Sequence, residues 1–192
     1  MTSFDIIGTG TMGKAIGSLL AEGGSTVSYI THDQVGTVTL TGDIVILAVP
    51  HPAVASVVDA YRDALAGKVV VDITNPVNFE TFDSLVVPAG TSFSAQLQTE
   101  LPESTVLKAF NTNFAATLIS KTVGGQRTTV LIAGDDTAAK AALARAIEAG
   151  GIAAVDAGSL ARAIELEAMG FLQITLAAGE KIGWTGGFAV VA

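Results

Sequence analysis

The stretch "FDIIGTGTMGKAIGSLLAEGGSTVSYITHD", residues 4–33, decides the fold. Phe4-Asp5-Ile6-Ile7 is a short apolar strand. Thr11 to Glu22 carries Ala15, Ile16, Leu19 and Leu20 at helical spacing before Gly23-Gly24 stops it. Between them Gly8-Thr9-Gly10-Thr11-Met12-Gly13 fits the pattern G-x-G-x-x-G. Gly8 permits a tight turn, Gly10 lets the backbone approach a pyrophosphate, and Gly13 lets the helix pack close on the strand. The helix N-terminus then meets the negative charge. A second strand, Thr26 to Ile30, runs into Thr31-His32, so no carboxylate stands where NAD selection normally places one against the ribose 2′-hydroxyl. Thr31 and His32 suit a 2′-phosphate better, which favours NADP over NAD; Asp33 comes later, as a loop or capping residue.

Outward from this unit, short strands alternate with alanine-rich helices. Strands are expected at Asp43 to Val49, Lys68 to Ile73, Val106 to Phe110, Thr128 to Ala133 and Ile152 to Val155. Helices are expected from Pro52 to about Ala66 and from Thr137 to Ala149, with a short one from Ser94 to Leu101 capped by Ser92 or Ser94. The alternation predicts a Rossmann-type, doubly wound, mainly parallel sheet. Thr31 to Gly42 is poor helix material, so the usual crossover helix is missing or vestigial there. Residues 75–102 form a long polar loop, and a loop of that length in a compact domain is usually functional. A last helix, Ser159 to about Lys181, is apolar around most of its circumference, which predicts a homodimer. An apolar extended tail follows from Gly183 to Ala192. The division is a dinucleotide-binding domain, residues 1–157, and a C-terminal helix and tail, 158–192, for the substrate pocket and dimerisation.

The net charge of −8 argues against a nucleic-acid backbone as partner. With no cysteine the chain has no thiolate metal site and no Cys nucleophile, and His32 and His51 stand in no metal-ligand spacing. The start lacks a basic signal region and the longest uncharged run is too short to span a membrane, so a cytoplasmic protein is expected. Three further strands end in polar or rigid tips: Ala48-Val49-Pro50-His51, Thr74-Asn75-Pro76 and Asn111-Thr112-Asn113. Each alone reads as a turn; together they are expected to gather with the glycine loop at the carboxyl edge of the sheet.

The pieces "IGTGTMGKAIG", "VILAVP", "VDITNP", "VVPAGTSFSAQL", "VLKAFNTNFA", "AGDD", "VDAGSLARAIELEAMGFLQITLA" and "WTGGFAVV", in this order, resemble the NADPH-dependent oxidoreductases of the deazaflavin coenzyme F420. The resemblance implies direct hydride transfer between nicotinamide and deazaflavin, with a small-molecule co-substrate and no side-chain nucleophile. It implies that Gly8, Thr9, Gly10, Thr11, Met12 and Gly13 hold the pyrophosphate and that Thr31 and His32 face the adenosine ribose. Ala48, Val49, Pro50 and His51, with Thr74, Asn75 and Pro76, would line the nicotinamide; Asn111, Thr112 and Asn113 would face coenzyme F420. His51 reads equally as a residue packed ahead of Pro52. Thr31-His32 replaces the basic pair usual in the family. Lys108, Lys121 and Arg127 are candidate contacts for an acidic tail on the deazaflavin. Two alternatives stay open: a reductase of the same fold using a flavin, an imine or a ferric chelate, and a non-catalytic dinucleotide sensor.

Overall fold

The computed structural model describes residues 2–191; Met1 and Ala192, the outer ends of the expected domain and tail, lie outside the described residues. The chain runs β1 (Ser3–Ile7), α1 (Thr11–Glu22), β2 (Thr26–Ile30), β3 (Ile44–Leu47), α2 (Val54–Leu65), β4 (Val69–Asp72), α3 (Phe93–Glu100) and β5 (Thr105–Lys108). It continues with α4 (Ala115–Ser120), a hairpin of β6 (Thr122–Val123) and β7 (Gln126–Arg127), β8 (Thr129–Ala133), α5 (Thr137–Ala149), β9 (Ala153–Gly158) and α6 (Ala163–Ala178). Seven strands form one sheet in the order β2-β1-β3-β4-β5-β8-β9. The order reverses at β1, as in a doubly wound sheet.

Helices cover both faces, and this explains why Ile44-Val45-Ile46-Leu47 is buried throughout instead of alternating. On one face Ile16 and Leu20 of α1, Leu118 of α4, and Leu143 and Ile147 of α5 pack on Phe4, Ile6 and Leu107. On the other, Val57 and Val58 of α2 and Leu97 of α3 pack on Ile7, Val45 and Leu47. Between β2 and β3 only a 3₁₀ turn, His32–Gln34, stands in place of a crossover helix. The buried Asp5 carboxylate holds the returning chain by accepting the Thr41 and Gly42 N–H groups, both at 2.7 Å.

Several boundaries differ from the sequence reading. β8 meets β5 antiparallel, at the single register pair Lys108 and Ala133. The helix in that connection, α4, is six residues long, about one and a half turns, too short to return the chain along the sheet as a crossover helix does. β5 stops at Lys108 instead of Phe110, because Phe110 takes φ +62° and turns the chain. β9 continues through Gly158. The last helix opens with a 3₁₀ turn, Leu160–Arg162, and ends at Ala178. Residues 183–191 lie over α6 without joining the sheet: Trp184 rests on Phe114 with ring centroids 5.0 Å apart, and the Phe188 N–H donates to Gln173 Oε1 at 3.0 Å.

Candidate functional site

The parallel registers set Ile7 beside Ile30 and Leu47, Leu47 beside Asp72, and Asp72 beside Lys108. Five strands therefore end level. The glycine loop, Thr31-His32 and the tips at 48–51, 74–76 and 111–113 all leave the same edge, as expected from their positions.

The three glycines of the loop have different reasons to be glycine. Gly8 has φ +112°, and a Cβ there would overlap the Ala48 carbonyl. A Cβ on Gly13 would overlap the Gly8 carbonyl, which is the close helix–strand approach. A Cβ on Gly10 would meet nothing within 4 Å. The protein itself does not need that space, so it fits a bound group. Gly10 is the N-cap of α1 and brings no side-chain cap, and the first turn holds no acidic residue, leaving its first N–H groups for an anion. Beside it lies a cleft of about 460 Å³ lined by Gly8, Thr9, Gly10, His32, Val35, Ala48, Val49, Pro50 and Ser56, among others. This cleft has the size and composition of a small-ligand site.

At the β2 end the Thr31 N–H and hydroxyl both donate to Gln34 Oε1, at 3.0 and 3.1 Å. The hydroxyl is thus already engaged as a donor, contrary to its expected use on a phosphate. Gln34 is exposed, and its Nε2 has no partner among the described residues. The Gln34 carbonyl accepts from Thr37 Oγ1 at 2.9 Å and from Tyr61 Oη at 3.2 Å, which fixes the turn. Sequence reasoning passed over Gln34; its spacing of three from Thr31 is the signal of a capping pair.

The 74–76 and 111–113 tips are tied together. Asn75 Nδ2 donates to the Asn111 carbonyl at 2.7 Å, and Asn111 Nδ2 donates to Asn75 Oδ1 at 2.9 Å and to the Leu166 carbonyl at 2.8 Å. α6 lies directly on this pair at Gly170, where any Cβ would overlap Asn75. Gln173, buried, donates from Nε2 to the Thr112 carbonyl at 3.1 Å and holds the tail with its Oε1. Three buried polar atoms have no partner among the described residues: Thr74 Oγ1, Asn111 Oδ1 and Asn113 Oδ1.

Behind the tips sits a buried ionic cluster. Lys108, 0% exposed, donates to Asp72 Oδ2 at 2.7 Å and to the Thr74 carbonyl at 2.7 Å, and pairs with Glu167 Oε1 at 3.0 Å. Asp72 also accepts from Ser94 Oγ at 2.6 Å and from the Thr74 N–H at 2.8 Å. Glu167 accepts the Phe93 and Ser94 N–H groups at the start of α3, where Ser92 Oγ accepts from the Ala95 N–H. Burial alone would raise the Asp72 carboxyl, but the Lys108 ammonium and the hydrogen bonds from Lys108, Ser94 and Thr74 hold it below its usual value. This corrects the placement of Lys108 on the surface: it cannot serve an acidic tail. Lys121 pairs with Glu22 at 2.7 Å, and Arg127 donates to the Gly151 and Ile152 carbonyls. His51 packs edge-on against Phe93, centroids 4.3 Å apart. Burial lowers its pKa, as does Lys108, against an opposing pull from Asp72.

Fold and cleft are those of a Rossmann-type α/β protein with a ligand-sized cleft beside its glycine loop and a C-terminal helix packed on the neighbouring strand tips. The family of NADP oxidoreductases that are coenzyme F420-dependent matches residues 28–76, from β2 to the tip after β4. An F420-dependent NADP reductase of Methanocaldococcus jannaschii is 30% identical over 149 residues, covering 76% of this chain and 66% of that protein. Metalloreductase STEAP3 of Rattus norvegicus is 38% identical over 107 residues, 56% of this chain and 21% of its own length. The chain thus spans a fifth to two thirds of these curated relatives. A crystal structure of a candidate F420-dependent NADP-reductase from Arthrobacter sp. FB24 superposes with a TM-score of 0.87 at 24% identity, covering 100% of both chains, and shows the shared fold. The chain belongs to the F420-dependent NADP oxidoreductase family. No helix among the described residues is long and apolar enough to cross a membrane.

Proposed function

We propose that the chain catalyses direct hydride transfer between NADP(H) and the deazaflavin coenzyme F420. The observation that carries this reading is the level edge, where a glycine loop and cleft shaped for a dinucleotide adjoin two tips bearing unpartnered buried polar atoms. When bound, the two coenzymes supply the hydride donor and acceptor carbons and the associated proton passes to or from water. The chain's own residues orient and shield. Gly8 to Gly13 and the α1 N-terminus receive the pyrophosphate, and His32 and Gln34 Nε2 face the 2′-phosphate. Val49 and Pro50 pack along the nicotinamide side, with Thr74 to Pro76 as its far wall. Asn111 to Asn113 meet the acceptor.

The protein works as a homodimer in this reading. The face of α6 turned inward carries Leu166 among small or polar residues (Ala163, Glu167, Gly170, Gln173), while Ile164 and Leu172 are 37% and 51% exposed. A second copy would cover them.

The test is NADPH oxidation by the purified protein with coenzyme F420, with flavin mononucleotide and with ferric citrate, followed by absorbance. Turnover with coenzyme F420 at the highest kcat/KM is the expected result. Turnover confined to the flavin or the iron chelate would overturn the assignment in favour of another acceptor. That second reading draws on the 107-residue match to a metalloreductase.

A further inference from the structure

The unpartnered atoms at the two tips define what a ligand must present there. Asn75 Nδ2 faces a main-chain carbonyl, so its Oδ1 is the acceptor for Asn111. Asn111 Nδ2 then spends both its hydrogens, on Asn75 Oδ1 and on the Leu166 carbonyl. Asn113 Nδ2 is likewise fixed by the Thr129 carbonyl at 3.0 Å. Neither amide can flip without setting oxygen against oxygen. Asn111 Oδ1 and Asn113 Oδ1 are therefore obligate acceptors, buried and unpartnered, and Thr74 Oγ1, on the tip tied to theirs, can donate or accept a hydrogen bond. Thr74 and Asn111 are only 5% and 4% exposed, so water does not serve them freely. A fold that leaves several such atoms on adjoining tips has something to meet them.

We infer that Asn111 and Asn113 are specificity-determining residues that select a ligand whose ring edge carries amide-type N–H donors. This rests on the hydride-transfer reading of the site and sharpens it. Two ligand groups share the chemistry: the carboxamide of a nicotinamide and the imide N–H of a deazaflavin's pyrimidinedione ring. A ferric chelate without N–H groups leaves both acceptors unpaired and is selected against.

The experiment uses the full chain and four probes in equilibrium titrations: NADP⁺, its 3-acetylpyridine analogue, 5-deazariboflavin and N3-methyl-5-deazariboflavin. Loss of affinity on the order of tenfold or more is expected wherever the N–H that meets the asparagines is removed. A penalty on the methylated deazaflavin assigns the tips to the acceptor, and one on the acetylpyridine analogue assigns them to the nicotinamide; either supports the inference. Equal affinities within each pair overturn it, even if hydride transfer proceeds. Discrimination without any hydride transfer would instead overturn the proposed reaction and leave this inference standing; failure to bind any of the four overturns both. Thr74→Val gives an independent measure. It removes a buried unpartnered hydroxyl, so the free protein should melt no lower than wild type while the discriminating probe binds several-fold more weakly. Unchanged binding together with a lower melting temperature would show that the hydroxyl is structural and count against the inference.

Discussion

Gly8 and Gly10 stand two residues apart and answer to different demands. Gly8 is required by the protein, since φ +112° and the Ala48 carbonyl leave no place for a methyl group. Gly8→Ala should cost about 2 kcal/mol or more in chemical denaturation. Gly10 has an ordinary φ of −68° and open space at its Cβ. Gly10→Ala should leave stability within about 0.5 kcal/mol while weakening dinucleotide binding at least tenfold. A Gly10→Ala protein that binds the dinucleotide as well as wild type does would remove the pyrophosphate from this loop. Nucleotide choice is set next door. With the Thr31 donors engaged by Gln34, the side-chain donors left for a 2′-phosphate are those of His32 and Gln34 Nε2. Neither supplies the permanent bidentate contact of an arginine, so the NADPH preference in kcat/KM should be modest. His32→Ala should shrink it, and Thr31→Asp, which supplies a ribose carboxylate, should reverse it. A preference for NADH would assign the ribose to Asp33.

The elements around the site are joined by charge as well as by apolar packing. Lys108, Asp72 and Glu167 bring β5, β4 and α6 to the start of α3, entirely out of solvent. Lys108→Met leaves two carboxylates buried together and should destabilise the fold by about 3–5 kcal/mol. Because the folded Asp72 pKa lies below its ordinary 3.8, the stability it contributes is complete above that value. It drains away as pH falls through the lower folded value. Denaturation midpoints of wild type and Asp72→Asn should therefore converge in acid; parallel pH profiles would show that Asp72 is not linked to folding. This cluster was legible in principle. Parallel strands buried on both faces tolerate a charge only with a partner, and VVVD and VLK each end in one, of opposite sign. Reading the lysine alone sent it to the surface; the register of β4 and β5 sends it to Asp72. The glycine loop and level tips were legible because backbone chemistry dictates them locally. α4 and the β6–β7 hairpin were not, since six-residue and two-residue elements show no period.

At the scale of the molecule, α6 is apolar beyond the face it buries: Leu166 is inside and Met169, Phe171, Ile174 and Leu176 are half-buried, while Ile164 and Leu172 are left exposed. Sedimentation of the wild type at micromolar concentration should give a dimer, and Leu172→Glu should give a folded monomer. A monomeric wild type would end the dimer proposal. The tail that crosses this helix brings Trp184, the only tryptophan of the chain, onto Phe114, adjacent to Asn113. The protein therefore carries its own optical probe at the acceptor end of the site. Reduced nicotinamide absorbs where tryptophan emits, so excitation energy should pass from Trp184 to a ligand seated at these tips. Its emission should be quenched as NADPH is added, and the effect should vanish in Trp184→Phe.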